Sequence, residues 1–255
     1  VRKDAAHIIE QLGKLPVELA ITTNGYLLDS YLNTFKKAGT KSVNVSLDTL
    51  IEDKFLTITK RDCFYKTLAN IHLFINEGFH VKVNTVVIKG MNENELVDFI
   101  KWTRNSSIHV RFIEFMPFNG NQWQRDKIVP FKEMLCRIKE IYTIGKLQDA
   151  PNSTSKSYRV VGFDGTFAII SSVTAPFCND CNRIRLTADG KLKNCLFSND
   201  EADLLPALRN GKDIRSIILD CIARKYKERG GLKQFDKLNA EHDYERGRCM
   251  TAIGG

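Results

Sequence analysis

Along residues 1–143, apolar positions follow two alternating rhythms. Short, nearly continuous apolar runs end in polar residues, and each leads into a stretch where apolar residues return every three or four positions. The runs predict strands at Val17–Thr23, Ser42–Leu47, Val81–Ile88 and Val110–Met116. The periodic stretches predict helices at Leu27–Lys37, Lys66–Asn76 and Phe131–Tyr142. Gly39 and Gly78 stand just past two of these helices, where a left-handed backbone favours glycine. Pro130 precedes the third helix, a position where its missing N–H costs nothing. Asn92 and Glu95 read as a capping box ahead of Leu96, Phe99 and Ile100.

Strands alternating with helices imply parallel pairing in right-handed βα units. Near-continuous apolar strands imply that both sheet faces are covered. A barrel and a doubly wound sheet both fit this grammar. The absence of a G-x-G-x-x-G or Walker-type run weakens the nucleotide-binding doubly wound option. After residue 143 the pattern changes. Gln148–Ser157 is a polar linker, Tyr158–Ser172 reads as β structure turning at Asp164-Gly165, and Leu204–Leu208 as a short helix. Ile214–Lys227 reads as an amphipathic helix ended by Gly230-Gly231, and Asn239–Gly255 is a polar tail finishing in Gly254-Gly255. The predicted division is therefore 1–143, a set of βα units, and 144–255, an α+β region.

The 255 residues are 43% hydrophobic and 27% charged, an ordinary globular composition long enough to bury a core. No apolar run reaches the ~18 residues of a membrane span, so no membrane partner is expected. Val1-Arg2-Lys3-Asp4 is not a secretion signal, and the chain is read as the later part of a longer protein. A net charge of +8 points to an anionic partner, or only to lysine-rich solvated helix faces. The seven cysteines lack the density of a disulfide scaffold, which suggests a reducing compartment, the cytoplasm. Cys63, Cys136 and Cys221 are isolated in helical patterns and read as packing residues.

The other cysteines carry chemistry. Cys178, Cys181 and Cys195 are spaced C-x2-C-x13-C, with Arg183 and Arg185 between the second and third. Two cysteines three apart can serve one metal centre from a single turn, and Asp189-Gly190 supplies the chain reversal that returns the third. A three-residue loop sets Thr187 opposite Lys191 and Arg183 opposite Cys195; a two-residue loop shifts the register and puts the arginines on the other face. Both registers remain open at this point. A four-iron cluster on three thiolates would leave one iron open, and two arginines beside it suit a phosphate-rich anion. Structural zinc would need a fourth ligand, for which Cys221, Cys249 and His242 are candidates. The zinc alternative implies a basic module that binds nucleic acid, although no stacking aromatics or DNA-reading motif accompany it.

Polar residues also gather at predicted strand ends, where (β/α) barrels place their sites. Thr22-Thr23-Asn24-Gly25 closes the first strand and Ser46-Leu47-Asp48 the second. Lys82 and Asn84 share a face of the third, and Arg111, Glu114 and Met116 lie on the fourth. Each group has a structural reading too: a turn, a cap, a Lys82–Glu114 ion pair, or Met116 as core filler.

The order of motifs resembles the GTP 3′,8-cyclase family of radical S-adenosylmethionine (SAM) enzymes, which acts first in molybdenum cofactor biosynthesis. The resemblance rests on Thr22-Thr-Asn-Gly25, Val45-Ser-Leu-Asp48, Val81-Lys-Val-Asn84, Arg111-Phe-Ile-Glu-Phe-Met-Pro117, Phe177-Cys-x-x-Cys-x-Arg-x-Arg185, Cys195-Leu-Phe197 and Gly254-Gly255. It implies an incomplete (β/α) barrel with a C-terminal α+β extension. It implies a [4Fe-4S] cluster on Cys178, Cys181 and Cys195, GTP contacts from Thr22, Lys82, Arg183, Ile184 and Arg185, and SAM contacts from Ser46 and Met116. The family's diglycine tail reaches its active site. Its second [4Fe-4S] cluster sits on an N-terminal C-x3-C-x2-C motif that this sequence does not contain, so the chain alone is expected to be inactive. GTP is the expected partner, nucleic acid is not, and a homodimer is left open.

Overall fold

The computed structural model describes residues 2–231 and 248–253. The chain divides into two compact units. The first comprises Val1–Glu114, Val129–Asp149 and Ser155–Ile170; the second comprises Phe115–Ile128, Ala150–Thr154 and Ser171–Gly255.

In the first unit, α1 (Ala5–Leu12), β1 (Ala20–Thr23), α2 (Leu28–Lys37), β2 (Ser42–Ser46), α3 (Glu52–Thr59), α4 (Phe64–Asn76), β3 (His80–Val87), α5 (Leu96–Trp102) and β4 (His109–Glu114) follow in order. They are succeeded by α6 (Phe131–Lys139), β5 (Ile144–Lys146), β6 (Lys156–Val160) and β7 (Thr166–Ile170). One sheet holds all seven strands in the order β1-β2-β3-β4-β7-β6-β5. Pairings from β1 through β4 to β7 are parallel, and β6 and β5 add antiparallel. The fold is thus α/β with a mixed sheet.

The strands depart from the expected burial on both faces. Along β3 after its exposed first residue, His80, and along β4, buried and half-buried residues alternate. Val43, Val45, Val81, Val83, Val110, Phe112 and Phe167 are wholly enclosed, and with Ile71, Phe74, Phe99 and Ile100 from the helices they form the core. Asn44, Lys82, Asn84 and Arg111 take the alternate positions, so one face is core and the other is a polar row. Phe112 packs edge-on to Phe99 and against Phe167. Truncating such a phenylalanine costs about 3–5 kcal/mol.

Several local expectations change. α1 and α3 form where no helix was predicted, α3 being only eight residues with weak apolar periodicity. β1 starts at Ala20, three residues after the predicted start. The capping box is not formed. Asn92 instead accepts from the Ile88 N–H and donates to the carbonyls of Asp48 and Val86. Glu95 is buried, accepting from Thr49, the Leu50 N–H and Lys54. Both side chains satisfy strand-end backbone that lies far away in sequence, and that outweighs the local cap.

In the second unit, β8 (Arg185–Leu186), β9 (Lys191–Lys193) and β10 (Ala202–Asp203) form an antiparallel sheet in the order β10-β9-β8. α7 (Leu205–Arg209) and α8 (Arg215–Ala223) follow. Leu192, Ala202, Leu204 and Cys221 make a small core under Ile214, Ile217 and Ile218 of the α8 region. Cys221 is therefore a packing residue, and Cys63 packs against the first unit's core. Cys136, expected to pack, is exposed beside Glu140.

Candidate functional site

The polar row of the first unit is a connected network. Arg111 donates from Nε to Asn84 and from Nη2 to Asn44, both at 2.7 Å. Asn44 in turn donates to the Thr22 hydroxyl at 3.3 Å. The register explains the meeting: Thr22 lies beside Asn44, Asn44 beside Lys82, and Asn84 beside both Ser46 and Arg111. Thr22 and Ser46 are exposed, and Lys82 is half-buried. Lys82 stands opposite His109, whereas Glu114 stands opposite Val87 on the other pleat, so the Lys82–Glu114 pairing does not occur. Glu114 is wholly buried and accepts from the Phe131 N–H.

This face carries a positive field. Burial and then the Arg111 guanidinium push the Lys82 ammonium pKa down, with Glu18 opposing. Burial pushes His109 down to about 3, helped by Arg111, His80 and Lys82, and His80 shifts the same way. The burial contribution opposes charge of either sign; it is the neighbouring Lys82 and Arg111 cations that make this face suited to an anion.

The turn after β1 uses its own polar residues. Thr23 accepts from the Gly25 N–H, Asn24 accepts from the Tyr26 N–H, and Asn70 donates to the Gly25 carbonyl. Gly25 has φ +81°, and a Cβ there would lie 2.9 Å from Val45 Cγ1 and 3.0 Å from Thr67 Cγ2. Only glycine meets both conditions. Thr22 is thereby separated from its neighbours: Thr23 and Asn24 build the turn, and Thr22 joins the polar row.

The second unit settles the hairpin. Arg185 pairs with Lys193 and Leu186 with Leu192. The Thr187 N–H donates to the Lys191 carbonyl at 2.8 Å, leaving a three-residue loop with Gly190 at φ +80°. Counted outward, this register sets Arg183 opposite Cys195. A 3-10 turn at Cys178–Asp180 carries the Cys181 N–H to the Cys178 carbonyl at 3.2 Å.

Cys195 lies within electrostatic range of both Cys178 and Cys181. Burial raises the Cys195 thiol pKa, and the negative charges of Cys178 and Cys181 raise it further, against the Phe197 and Ser198 N–H groups. Each sulfur meets N–H donors. Those amides serve Cys195, the Arg229 N–H lies 3.4 Å from Cys178 Sγ, and Lys225 Nζ lies 3.6 Å from Cys181 Sγ. Burial and Arg183 lower the half-buried Arg185 guanidinium pKa, while Cys195 and Cys181 raise it. So both arginines and the thiols share one neighbourhood. Arg185 donates to the Ile253 carbonyl at 3.4 Å and Arg183 to the Asn152 carbonyl at 3.1 Å. Ile184 is exposed. Among the described residues, no three His, Cys, Asp or Glu side chains are gathered closely enough to hold a single metal ion.

Met116 follows β4 in a loop, half-buried, its carbonyl accepting from Asn121 at 2.7 Å. His242 and Gly254-Gly255 lie outside the described residues. The sequence reading gave no role to Lys225, Arg229, Asn44 or Arg248. The first two follow α8 at no diagnostic spacing, but Asn44, alternating with Val43 and Val45, carried a face signal.

Residues 1–103 match the family described as the Radical SAM superfamily, and residues 108–230 match Molybdenum Cofactor Synthesis C. The chain is 38% identical over 260 residues to GTP 3′,8-cyclase of Alkaliphilus oremlandii, covering all of this chain and 78% of that one. It is 41% identical over 262 residues to the mitochondrial GTP 3′,8-cyclase of Arabidopsis thaliana, covering all of this chain and 65% of that one. It is 44% identical over 215 residues to molybdenum cofactor biosynthesis protein moc-5 of Caenorhabditis elegans, covering 83% of this chain and 36% of the relative. The chain thus spans well under half of the nematode protein's length. No helix among the described residues is long and apolar enough to cross a membrane.

Proposed function

The chain belongs to the GTP 3′,8-cyclase family, and from that premise we propose that it binds GTP and takes part in its radical SAM-dependent cyclisation, the entry step of molybdenum cofactor biosynthesis. The observation that carries the reading is one neighbourhood in which Cys195 senses Cys178 and Cys181, while Arg185 on the β8–β9 hairpin senses Arg183, Cys195 and Cys181. A structural zinc site gives no reason for the arginines.

Cys178, Cys181 and Cys195 would ligate a four-iron cluster. The N–H donors at each sulfur fit thiolate ligands, because donors to sulfur offset the charge that gathers there. The chemistry that a bound cluster and SAM supply in this family is an open iron for the guanine and a radical that removes hydrogen from C3′ of GTP. The chain's own residues position and neutralise. Arg183 and Arg185 offset phosphate charge with rigid forks, and the Ile184 backbone lies between them. In the first unit, Thr22 offers a hydroxyl and Lys82 an ammonium whose burial leaves it under-solvated and ready for an anion. Ser46 and Met116 are the proposed SAM contacts, and we read the parallel strands as part of a radical SAM barrel. We place this work in the cytoplasm, because the sequence lacks the cysteine density of a disulfide scaffold.

Anaerobic reconstitution with iron and sulfide tests this, followed by metal analysis and equilibrium dialysis with GTP. About four irons per chain, lost with Cys178→Ala and Cys195→Ala, together with GTP binding, support the reading. A single zinc and no affinity for GTP overturn it.

A further inference from the structure

Arg248 closes a three-way ionic clamp in the second unit. Its Nη1 and Nη2 meet Asp189 Oδ1 and Oδ2 at 3.0 and 2.9 Å, and Nη2 also meets Glu201 Oε2 at 2.7 Å. Isolated surface ion pairs contribute little, but a bidentate arginine held by two carboxylates falls outside that rule.

Both carboxylates are set before Arg248 arrives. Asp189, in the β8–β9 loop, accepts from the Thr187 hydroxyl at 2.6 Å, and Thr187 is itself fastened to Lys191. Glu201, one residue before β10, lies 3.4 Å from the buried Lys193 ammonium and 3.7 Å from Lys191. Lys193 also donates to the Ser198 carbonyl. The acceptors are therefore preorganised, and little ordering entropy opposes the clamp. Arg248 above all, then Thr187, pulls the Asp189 carboxyl down to about 2.

Five residues further on, Ile253 is 3% exposed and its carbonyl receives Arg185. The short 3-10 turn Met250–Ala252 joins these two anchor points, with the Ala252 and Ile253 N–H groups bonded to Cys249 and Met250. The arm is thus tied at Arg248 to the loop of the cysteine hairpin and at Ile253 to that hairpin's arginine.

We propose that Asp189 and Glu201 are positioning residues that grip Arg248 and so lay residues 249–253 against Arg185, making this arm a wall of the cysteine–arginine site. The proposal rests on the reading of that site as a GTP site. It assigns the hairpin loop a second task beyond setting register: the loop also anchors a distant stretch of chain.

Hydrogen exchange at residues 249–253 tests the clamp in the wild type, in Arg248→Ala and in the double variant Asp189→Asn/Glu201→Gln. Arg248→Lys serves as a partial rescue, since an ammonium keeps the charge without the fork. The Ala252 and Ile253 amides should exchange at least ~10-fold faster in the first two variants, equivalent to losing about 1.4 kcal/mol of protection. The Thr187 amide should stay protected, showing that the hairpin persists. GTP affinity, by dialysis on the same reconstituted proteins, should fall several-fold in step with the exchange and recover in part in Arg248→Lys. Unchanged arm protection in both variants overturns the clamp. A loosened arm with unchanged GTP affinity overturns its role at the site. A wild-type chain that binds no GTP counts against the GTP reading, and the exchange arm still decides the clamp.

Discussion

Lys225 places its ammonium on Cys181. Nζ lies 2.8 Å from the Cys181 carbonyl, 2.9 Å from that of Arg183 and 3.6 Å from the Cys181 sulfur. One cation therefore bends the segment leading into the hairpin and faces a proposed cluster ligand.

Lys225→Met keeps the side-chain length and removes all three contacts. Losing hydrogen bonds from a charged donor to half-buried carbonyls costs about 1.5–3 kcal/mol. Denaturant unfolding should show a loss in that range. Iron retained after anaerobic reconstitution should fall, with Lys225→Arg intermediate. Wild-type iron content in Lys225→Met would mean that the lysine does not support the ligand turn.

Lys82→Met separates binding from folding. The folded pKa of Lys82 is depressed, mainly by burial, so at neutral pH its charge weakens the fold, and this cost fades as pH rises through the depressed value. Removing the ammonium should leave the melting temperature unchanged or higher. GTP affinity should drop about 10- to 100-fold, the value of one charged hydrogen bond. A large fall in stability with full affinity would place Lys82 in the scaffold rather than the site.

His109 gives the first unit a defined acid response. Its folded pKa is about 3 against an ordinary 6.5. Between these values the unfolded chain binds the extra proton, so stability should decline as pH falls from about 6.5 to about 3. The loss should reach the order of a few kcal/mol. Urea titrations at pH 7 and pH 4 should show a shallower decline for His109→Asn, which keeps a polar group for Thr166. Asp189 titrates lower, between its ordinary 3.8 and about 2, so most of its contribution falls below the pH 7 to pH 4 comparison.

Gly25→Ala tests the turn behind Thr22. The substitution combines φ +81° with a Cβ 2.9 Å from Val45, a strain of about 1–3 kcal/mol. Unfolding should register that loss. GTP affinity should fall as well, because Thr22 immediately precedes the displaced turn.

Much of this was legible in the chain. The strands around Val43, Val81 and Val110, the helices predicted from Leu27, Lys66 and Phe131, and the pairing of three cysteines with two arginines all follow from local periodicity and spacing. Lys82 and Asn84 were placed on one face by alternation alone. Less legible was the use of each polar strand-end residue. Asn92 and Glu95 have the spacing of a cap, yet they bind Asp48, Thr49 and Leu50 more than 40 residues away. Arg248 gave no hint of its partners, since Asp189 lies 59 positions earlier.

The sequence by itself determined the α/β grammar, the trio of cysteines with their two arginines, and the family. These depend on period and order, which are local properties of a chain. Only the tertiary structure decided the hairpin register, the polar row of Thr22, Asn44, Asn84 and Arg111, and the clamp on Arg248. Each depends on which distant donor meets which acceptor. Burial makes such pairing obligatory, while the linear order of residues leaves the partner open.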